Sequence, residues 1–387
     1  MEQRRFSGNS HLYHETQCTL TAPTAPLVPE AAEIGDRFLL GLDALCGAEV
    51  KSHLDRIEPA LLASRDLYQL LFPRHVDTSM THTLTLYDRL SAALTVAQVT
   101  GIQRLCNHYA ARLNPLAGPD PSRESNLRLT QMTEYARQLA SQPALITPVA
   151  LRRLDEVGLT VPDIITYNQI TGFISYQARV VAGINALLAL PVRWFPGLAE
   201  PEDATAECFN PVTQWQPLLP PVELRYASAS QLEVLTWCQP QPEFSDCAWL
   251  LAHDAATLHG WGTLINILRE NGSTQEGALA AAVAARINGS AACLWRYRNE
   301  RLRDALRQSV SQALAIASPS EQAVIQAAAQ LTRTPERFSA THLQPLNNAG
   351  LTDRVAFDVI LQVALANWSN RLIQTLGTAS GNDEQPH

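Results

Sequence analysis

The residues best suited to chemistry lie in one stretch, where a hydroxyl, a thiol and a phenol follow a predicted helix break. Residues 276–303 read EGALAAAVAARINGSAACLWRYRNERLR. The Ala- and Leu-rich part predicts a helix at the centre of a bundle, the Asn-Gly pair 288–289 ends it, and Ser290 begins a second helix. On that helix Ser290, Cys293 and Tyr297 share one face. A thiol in a first turn feels the positive end of the helix dipole, which can lower its pKa, so Cys293 is the principal catalytic candidate.

These residues resemble the core of the AhpD-like, carboxymuconolactone decarboxylase family, in its peroxidase-related branch. Members carry a Glu and then Asn-Gly-Cys-x-x-Cys-x-x-x-His. The resemblance extends through 249–254, 331–335, 349–353 and 367–372, and it covers most of residues 226–377. It implies an all-α helical bundle and a thiol-dependent peroxidase, which takes a peroxide and an external thiol reductant and needs no cofactor or metal.

The motif is incomplete in this chain. Ser290 stands in place of the first Cys, Tyr297 in place of the His and Ala278 in place of the Glu, whereas Cys293 and the Asn-Gly pair match. Glu276, two positions earlier, points to another side of the helix. One hypothesis is therefore a peroxidase-type oxidoreductase with an eroded active site, in which Cys293 is oxidised and an external thiol reduces it.

Two other hypotheses stay open. The pocket can survive without redox chemistry, in a non-catalytic ligand-binding or regulatory protein on the same fold. Lactone decarboxylation, the family's other reaction, relies on acid and base groups, and the missing His and Glu argue against it.

Each candidate residue also has a purely structural interpretation. Cys293 is equally interpreted as a small buried hydrophobe, and Tyr297 as a core aromatic. Ser290 is favoured as a helix N-cap over a catalytic residue. His253 is favoured as a structural hydrogen-bonding residue, although it is the nearest substitute for the relay His.

Composition narrows the classes of partner. The formal net charge is -8 and no basic block occurs, so nucleic acid and anionic membrane surfaces are not expected partners. No apolar run reaches the ~18 residues that span a bilayer, and no secretory signal is evident. The seven cysteines are scattered without C-x-x-C or zinc-site spacing, which predicts reduced thiols, no metal and a cytoplasmic location.

The order of helical and Pro-rich segments along the sequence predicts an all-α protein built from two similar units. We predict a flexible tail at 1–33, a degenerate AhpD-like repeat at 34–190, a Pro-rich irregular connector at 191–225, the second AhpD-like domain at 226–377 and a polar tail at 378–387. Residues 138–179 match residues 330–371 at an offset of 192, and 99–109 match 287–297 at an offset of 188. These offsets indicate a tandem duplicated helical bundle.

The duplication places two buried arginines at equivalent positions. The helices that carry them also bear on assembly. Arg179 and Arg371 occupy equivalent positions in apolar helices, so each needs a salt bridge or helix C-terminal carbonyls. The helices at 161–190 and 354–376 are apolar almost all round, which predicts a homo-oligomer, most simply a dimer. The alternative is a monomer in which the aromatic residues of the connector cover the second face.

Overall fold

The computed structural model describes residues 34–192, 200–210, 214–270 and 274–380, and the chain is all-α. The helices of the first half are α1 (Ala48–Arg56), α2 (Glu58–Leu71), α3 (Leu86–Thr100), α4 (Gln103–Leu113), α5 (Arg123–Ser141), α6 (Pro148–Glu156) and α7 (Val161–Leu187). Those of the second half are α8 (Ala229–Cys238), α9 (Ala248–Leu251), α10 (Ala255–Glu270), α11 (Gln275–Asn288), α12 (Ala291–Trp295), α13 (Glu300–Gln308), α14 (Val310–Ile316), α15 (Pro319–Arg333), α16 (Ala340–Asn348) and α17 (Asp353–Leu376). Short 3₁₀ turns cover Asp43–Leu45, Pro143–Leu145, Ala206–Phe209, Leu224–Tyr226, Pro242–Phe244, Ala252–Asp254 and Pro335–Arg337.

Local sequence sets most helix boundaries. Capping boxes open α3 at Thr85 and α7 at Thr160. In each, the carboxylate of the Asp three residues later accepts a hydrogen bond from the backbone N–H of the cap residue. Gly101 and Gly289 close α3 and α11 in the left-handed conformation, at φ 68° and 82°, which favours glycine. The predicted break at Asn288-Gly289 is confirmed.

Other boundaries differ from the prediction. A turn and a 3₁₀ segment precede α1, and Ser309 separates α13 from α14, which its side chain caps. The second helix of the opening stretch ends at Trp295, so Tyr297 lies beyond it, and the prediction that Tyr297 shares a helix face with Ser290 and Cys293 is wrong.

The connector is more ordered than predicted. Strand β1 (Gln214–Pro217) pairs antiparallel with strand β2 (Gly377–Ser380), which begins at the residue before the predicted polar tail. Phe209 and Trp215 are buried, and the Trp215 indole donates to the Ile373 carbonyl at 2.8 Å. The connector therefore packs onto α17. Trp194 and Phe195, the 1–33 tail and the rest of the polar tail lie outside the described residues.

The two halves meet along α7 and α17. Gly172 and Gly183 let α7 approach Trp368 and Ile360 so closely that a Cβ atom at either glycine would overlap them. Within one chain, 23 of the 27 residues of α7 and 17 of the 24 residues of α17 are buried. The argument for a dimer that rested on their uncovered faces therefore does not hold, and the oligomer itself remains a prediction.

Two buried arginines join the halves reciprocally. Arg179 on α7 donates to the Thr332 carbonyl in the last turn of α15, at 2.7 Å. Arg371 on α17 donates to the Leu139 and Ala140 carbonyls in the last turn of α5, at 3.1 and 2.5 Å. The negative end of each helix dipole thus faces a guanidinium. Bonding to helix C-terminal carbonyls, one of the two predicted arrangements, is confirmed.

The order of elements repeats between the halves. The turns at Pro143–Leu145 and Pro335–Arg337, the helices α6 and α16, and the starts of α7 and α17 all lie 192 positions apart. The ends of α3 and α11 lie 188 apart, and each is followed by a left-handed glycine. This recurrence is what a tandem duplication predicts.

Candidate functional site

A pocket of about 860 Å³ lies beside Cys293, between α10, α11, α17 and the segment that follows α12. Its volume is in the range of pockets that hold small organic molecules. Its walls are formed mainly by Trp261, Ile265 and Leu268 of α10, Ala278, Ala281 and Ala282 of α11, and Leu365, Ala366, Asn370 and Ile373 of α17. Cys293, Arg296, Tyr297 and Arg298 line it from the α12 side.

Small side chains on α11 create this space. Ala278, Ala281 and Ala282 recur at the three- and four-residue spacing that places them on one helix face. In the first half, at the offset of 188, Leu90 and Leu94 stand in place of Ala278 and Ala282, and both are buried. Leucine is the larger side chain at both positions, so the first half has less room there than the second.

In the first half, buried aromatic side chains also pack around the equivalent positions. Phe38 packs against Phe173, with ring centroids 6.0 Å apart, and Tyr109 is fully buried with its hydroxyl bonded to Gln177 at 2.6 Å. The Gln177 amide in turn donates to the Phe38 carbonyl at 2.8 Å.

Cys293 is the third residue of α12 and contributes its partly exposed side chain to the pocket wall. Burial raises its pKa above the ordinary value of 9.0, and the charge of Arg296 and the nearby Ser290 oppose only part of the rise. The expected lowering of the pKa is therefore wrong. A helix of five residues has a small dipole, and removal of the thiolate from water outweighs it.

Ser290 occupies the N-cap position but does not cap. Its hydroxyl makes no cap hydrogen bond, and Ser290 Oγ is fully buried without a partner among the described residues. The favoured N-cap interpretation is thus correct for the position of Ser290 and wrong for the role of its side chain.

Tyr297 is a half-buried residue of the pocket wall, beyond the end of α12. Burial raises its pKa to about 12, and the charge of Glu321 adds to the rise. At neutral pH Tyr297 is therefore a phenol that can donate a hydrogen bond into the pocket, and it is no general base. Ala278 lines the same pocket, whereas Glu276 is not part of its wall, as the helix geometry predicts.

His253 belongs to a different place. It sits in the 3₁₀ turn Ala252–Asp254, and its Nε2 lies 2.9 Å from the Pro220 carbonyl of the connector. It lines a separate depression of about 730 Å³, together with Arg89, Asp254 and His259. Burial lowers its pKa. His253 makes a hydrogen bond of the kind that its structural interpretation predicts, and it is not part of the wall of the Cys293 pocket.

Two wall residues that the sequence did not single out carry unsatisfied donors. Trp261 is 2% exposed and Asn370 is 1% exposed, yet Trp261 Nε1 and Asn370 Nδ2 have no hydrogen-bond partner among the described residues. A buried polar atom without a partner costs about 1–3 kcal/mol, so native proteins rarely retain one without a reason. No local sequence pattern predicts that these donors lack partners, because residues of separate helices surround them.

Cys247 is a further residue that the sequence analysis missed. It is 1% exposed, and burial raises its pKa to about 12, with smaller contributions from Cys238 and Cys293. Cys247 thus lies within electrostatic range of both Cys238 and Cys293, although 46 positions separate it from Cys293 in the chain. The six cysteines of the described ranges are free thiols.

Searches for other kinds of site and for relatives give little more. The described part of the chain holds no group of three or more His, Cys, Asp or Glu side chains that could bind a metal. None of its helices is both long enough and apolar enough to cross a membrane. No protein-family model matches the chain, and no curated protein matches its sequence at a significant level.

Proposed function

We propose that this protein binds a small, largely apolar molecule in the pocket beside Cys293, on an AhpD-like fold whose redox motif is eroded. The observation that carries the proposal is the pocket of about 860 Å³ that the alanine face of α11 leaves open beside Cys293. A ligand with an apolar body would cover that face, and the Tyr297 phenol in the wall can donate to an acceptor on the ligand.

The duplication is part of the same proposal. A tandem repeat in which the first unit is filled and the second is open gives one site per chain. In this proposal Leu90 and Leu94 close the helix surface of the first unit, whereas Ala278 and Ala282 leave the surface of the second unit open to a ligand.

Metabolite retention tests this function directly. The purified protein is exposed to a small-molecule extract, and retained compounds are identified by mass spectrometry. The matched control is Ala282→Leu, which copies Leu94 of the first half and fills the pocket by the same means. We expect the wild type to retain a compound that Ala282→Leu does not. Retention of the same compounds by both proteins, or of none by either, would refute the proposal.

Cys293 in the pocket wall favours a second candidate, a thiol peroxidase of low activity. The Cys293 thiolate would attack the terminal oxygen of a hydroperoxide, break the O–O bond and leave a sulfenic acid and an alcohol. An external thiol would then form a mixed disulfide with Cys293 and release water, and a second thiol would restore Cys293. The raised pKa of Cys293 keeps the thiolate fraction small at neutral pH, so this reaction would be slow.

Intact-mass measurement after peroxide treatment tests the second candidate, with Cys293→Ser as the control. A gain of one oxygen that disappears in Cys293→Ser supports it. A loss of two hydrogens that requires both Cys293 and Cys247 would show that Cys247 resolves the sulfenic acid. If peroxide produces neither product, nor a mixed disulfide when thiol is added, the protein is not a thiol peroxidase.

A further inference from the structure

The charges at the mouth of the Cys293 pocket are unbalanced. Four charged residues line the pocket, three arginines and one glutamate. The glutamate is already neutralised, because Arg269 Nη1 lies 2.8 Å from Glu243 Oε1. The other two arginines, Arg296 and Arg298, are exposed, and neither forms an ion pair with a described carboxylate.

The three other arginines of residues 296–307 differ from these two, because each has a partner. Arg301 forms a bidentate pair with Glu321, at 3.0 and 2.9 Å. Arg303 and Arg307 lie over the Trp295 ring and near Asp304. The guanidinium groups left without a carboxylate are thus those that line the pocket.

From this arrangement we infer that the ligand of the pocket is an amphipathic anion, a carboxylic acid with an apolar chain or ring. Its carboxylate would pair with Arg296 and Arg298, whose planar guanidinium groups match carboxylate oxygens. Its body would lie along the alanines of α11 and the apolar residues of α10 and α17. This inference rests on the proposed binding function and adds the chemical class of the ligand.

A matched pair of probes separates the headgroup from the body. Octanoate and octanamide have the same chain and differ in the charge of the head. We expect calorimetric titration to show octanoate binding at least about tenfold more tightly than octanamide, and this preference to shrink as salt is added. In the Arg296→Gln, Arg298→Gln double variant the preference should disappear, because octanoate binding should weaken far more than octanamide binding.

Arg301→Gln is the control, because Arg301 lies in the same segment but is paired and does not line the pocket. It should keep the preference for octanoate. If wild-type protein binds the two probes equally, or if the double variant keeps the preference, the assignment to an anion is overturned and the binding function stands. If neither probe binds and no compound is retained from an extract, both proposals fail.

Discussion

Two asparagines on α17 provide a sharp test of the unsatisfied-donor argument. Asn367 and Asn370 are three residues apart, and they are 0% and 1% exposed. The two side chains differ in how many hydrogen bonds they make. Asn370 Nδ2 has no partner in the described structure. The Asn367 side chain accepts from Asn288 and Arg371 at 3.1 and 2.9 Å and donates to the Val363 carbonyl at 2.9 Å.

The same substitution should therefore have opposite effects on the free energy of unfolding. Leucine has the same number and branching of side-chain heavy atoms as asparagine and no polar atoms. Asn370→Leu removes an unsatisfied donor worth about 1–3 kcal/mol, so we expect stabilisation of that order. Asn367→Leu leaves Asn288 and one Arg371 N–H without their acceptor, and at about 1–3 kcal/mol for each we expect a loss of roughly 2–6 kcal/mol.

Urea unfolding followed by circular dichroism measures both changes. The midpoint should rise for Asn370→Leu and fall for Asn367→Leu, with similar slopes. Destabilisation by Asn370→Leu would refute the reasoning, because it would show that the Asn370 amide is satisfied in solution.

Three further predictions concern the thiol, the helix crossing and assembly. Because burial raises its pKa, alkylation of Cys293 by iodoacetamide should increase about tenfold per pH unit and still be rising at pH 9.0; a plateau at lower pH would contradict the raised pKa. Gly172→Ala should lower the melting temperature, since overlap with the Trp368 ring costs about 1–3 kcal/mol and exceeds the ~1 kcal/mol gained in helix propensity; an unchanged or higher melting temperature would show that the ring can move aside. Light scattering decides between the predicted oligomer and its monomeric alternative: a constant mass near 42.5 kDa, which the covering of α7 and α17 within one chain favours, would rule out the oligomer, and a larger mass would confirm it.

The sequence by itself determined the helical class and many of the element ends. Gly289 ends α11 and Gly101 ends α3 because a left-handed residue satisfies the last carbonyls and glycine has no Cβ to oppose it. The matching offsets also predicted that Arg179 and Arg371 would occupy equivalent buried positions. These features depend on residues within a turn of each other, or on a pattern that repeats along the chain.

Sequence reasoning failed where local signals competed. Ser290 and the residues after it have the pattern of a helix start, yet α12 ends after one turn and the Ser290 hydroxyl makes no cap hydrogen bond. The α12 dipole was then too small to lower the pKa of Cys293 against burial. Likewise, β1 has no recognisable strand pattern and forms only because β2 lies beside it.

The tertiary structure alone decided the candidate site. The pocket exists because the alanines of α11 face α10 and α17, and its unsatisfied donors, Trp261 and Asn370, come from two different helices. Cys247 comes near Cys293 through the packing of distant segments. Burial, pKa and hydrogen-bond satisfaction depend on neighbours tens to hundreds of positions away, and no local pattern in a single sequence specifies which neighbours those are.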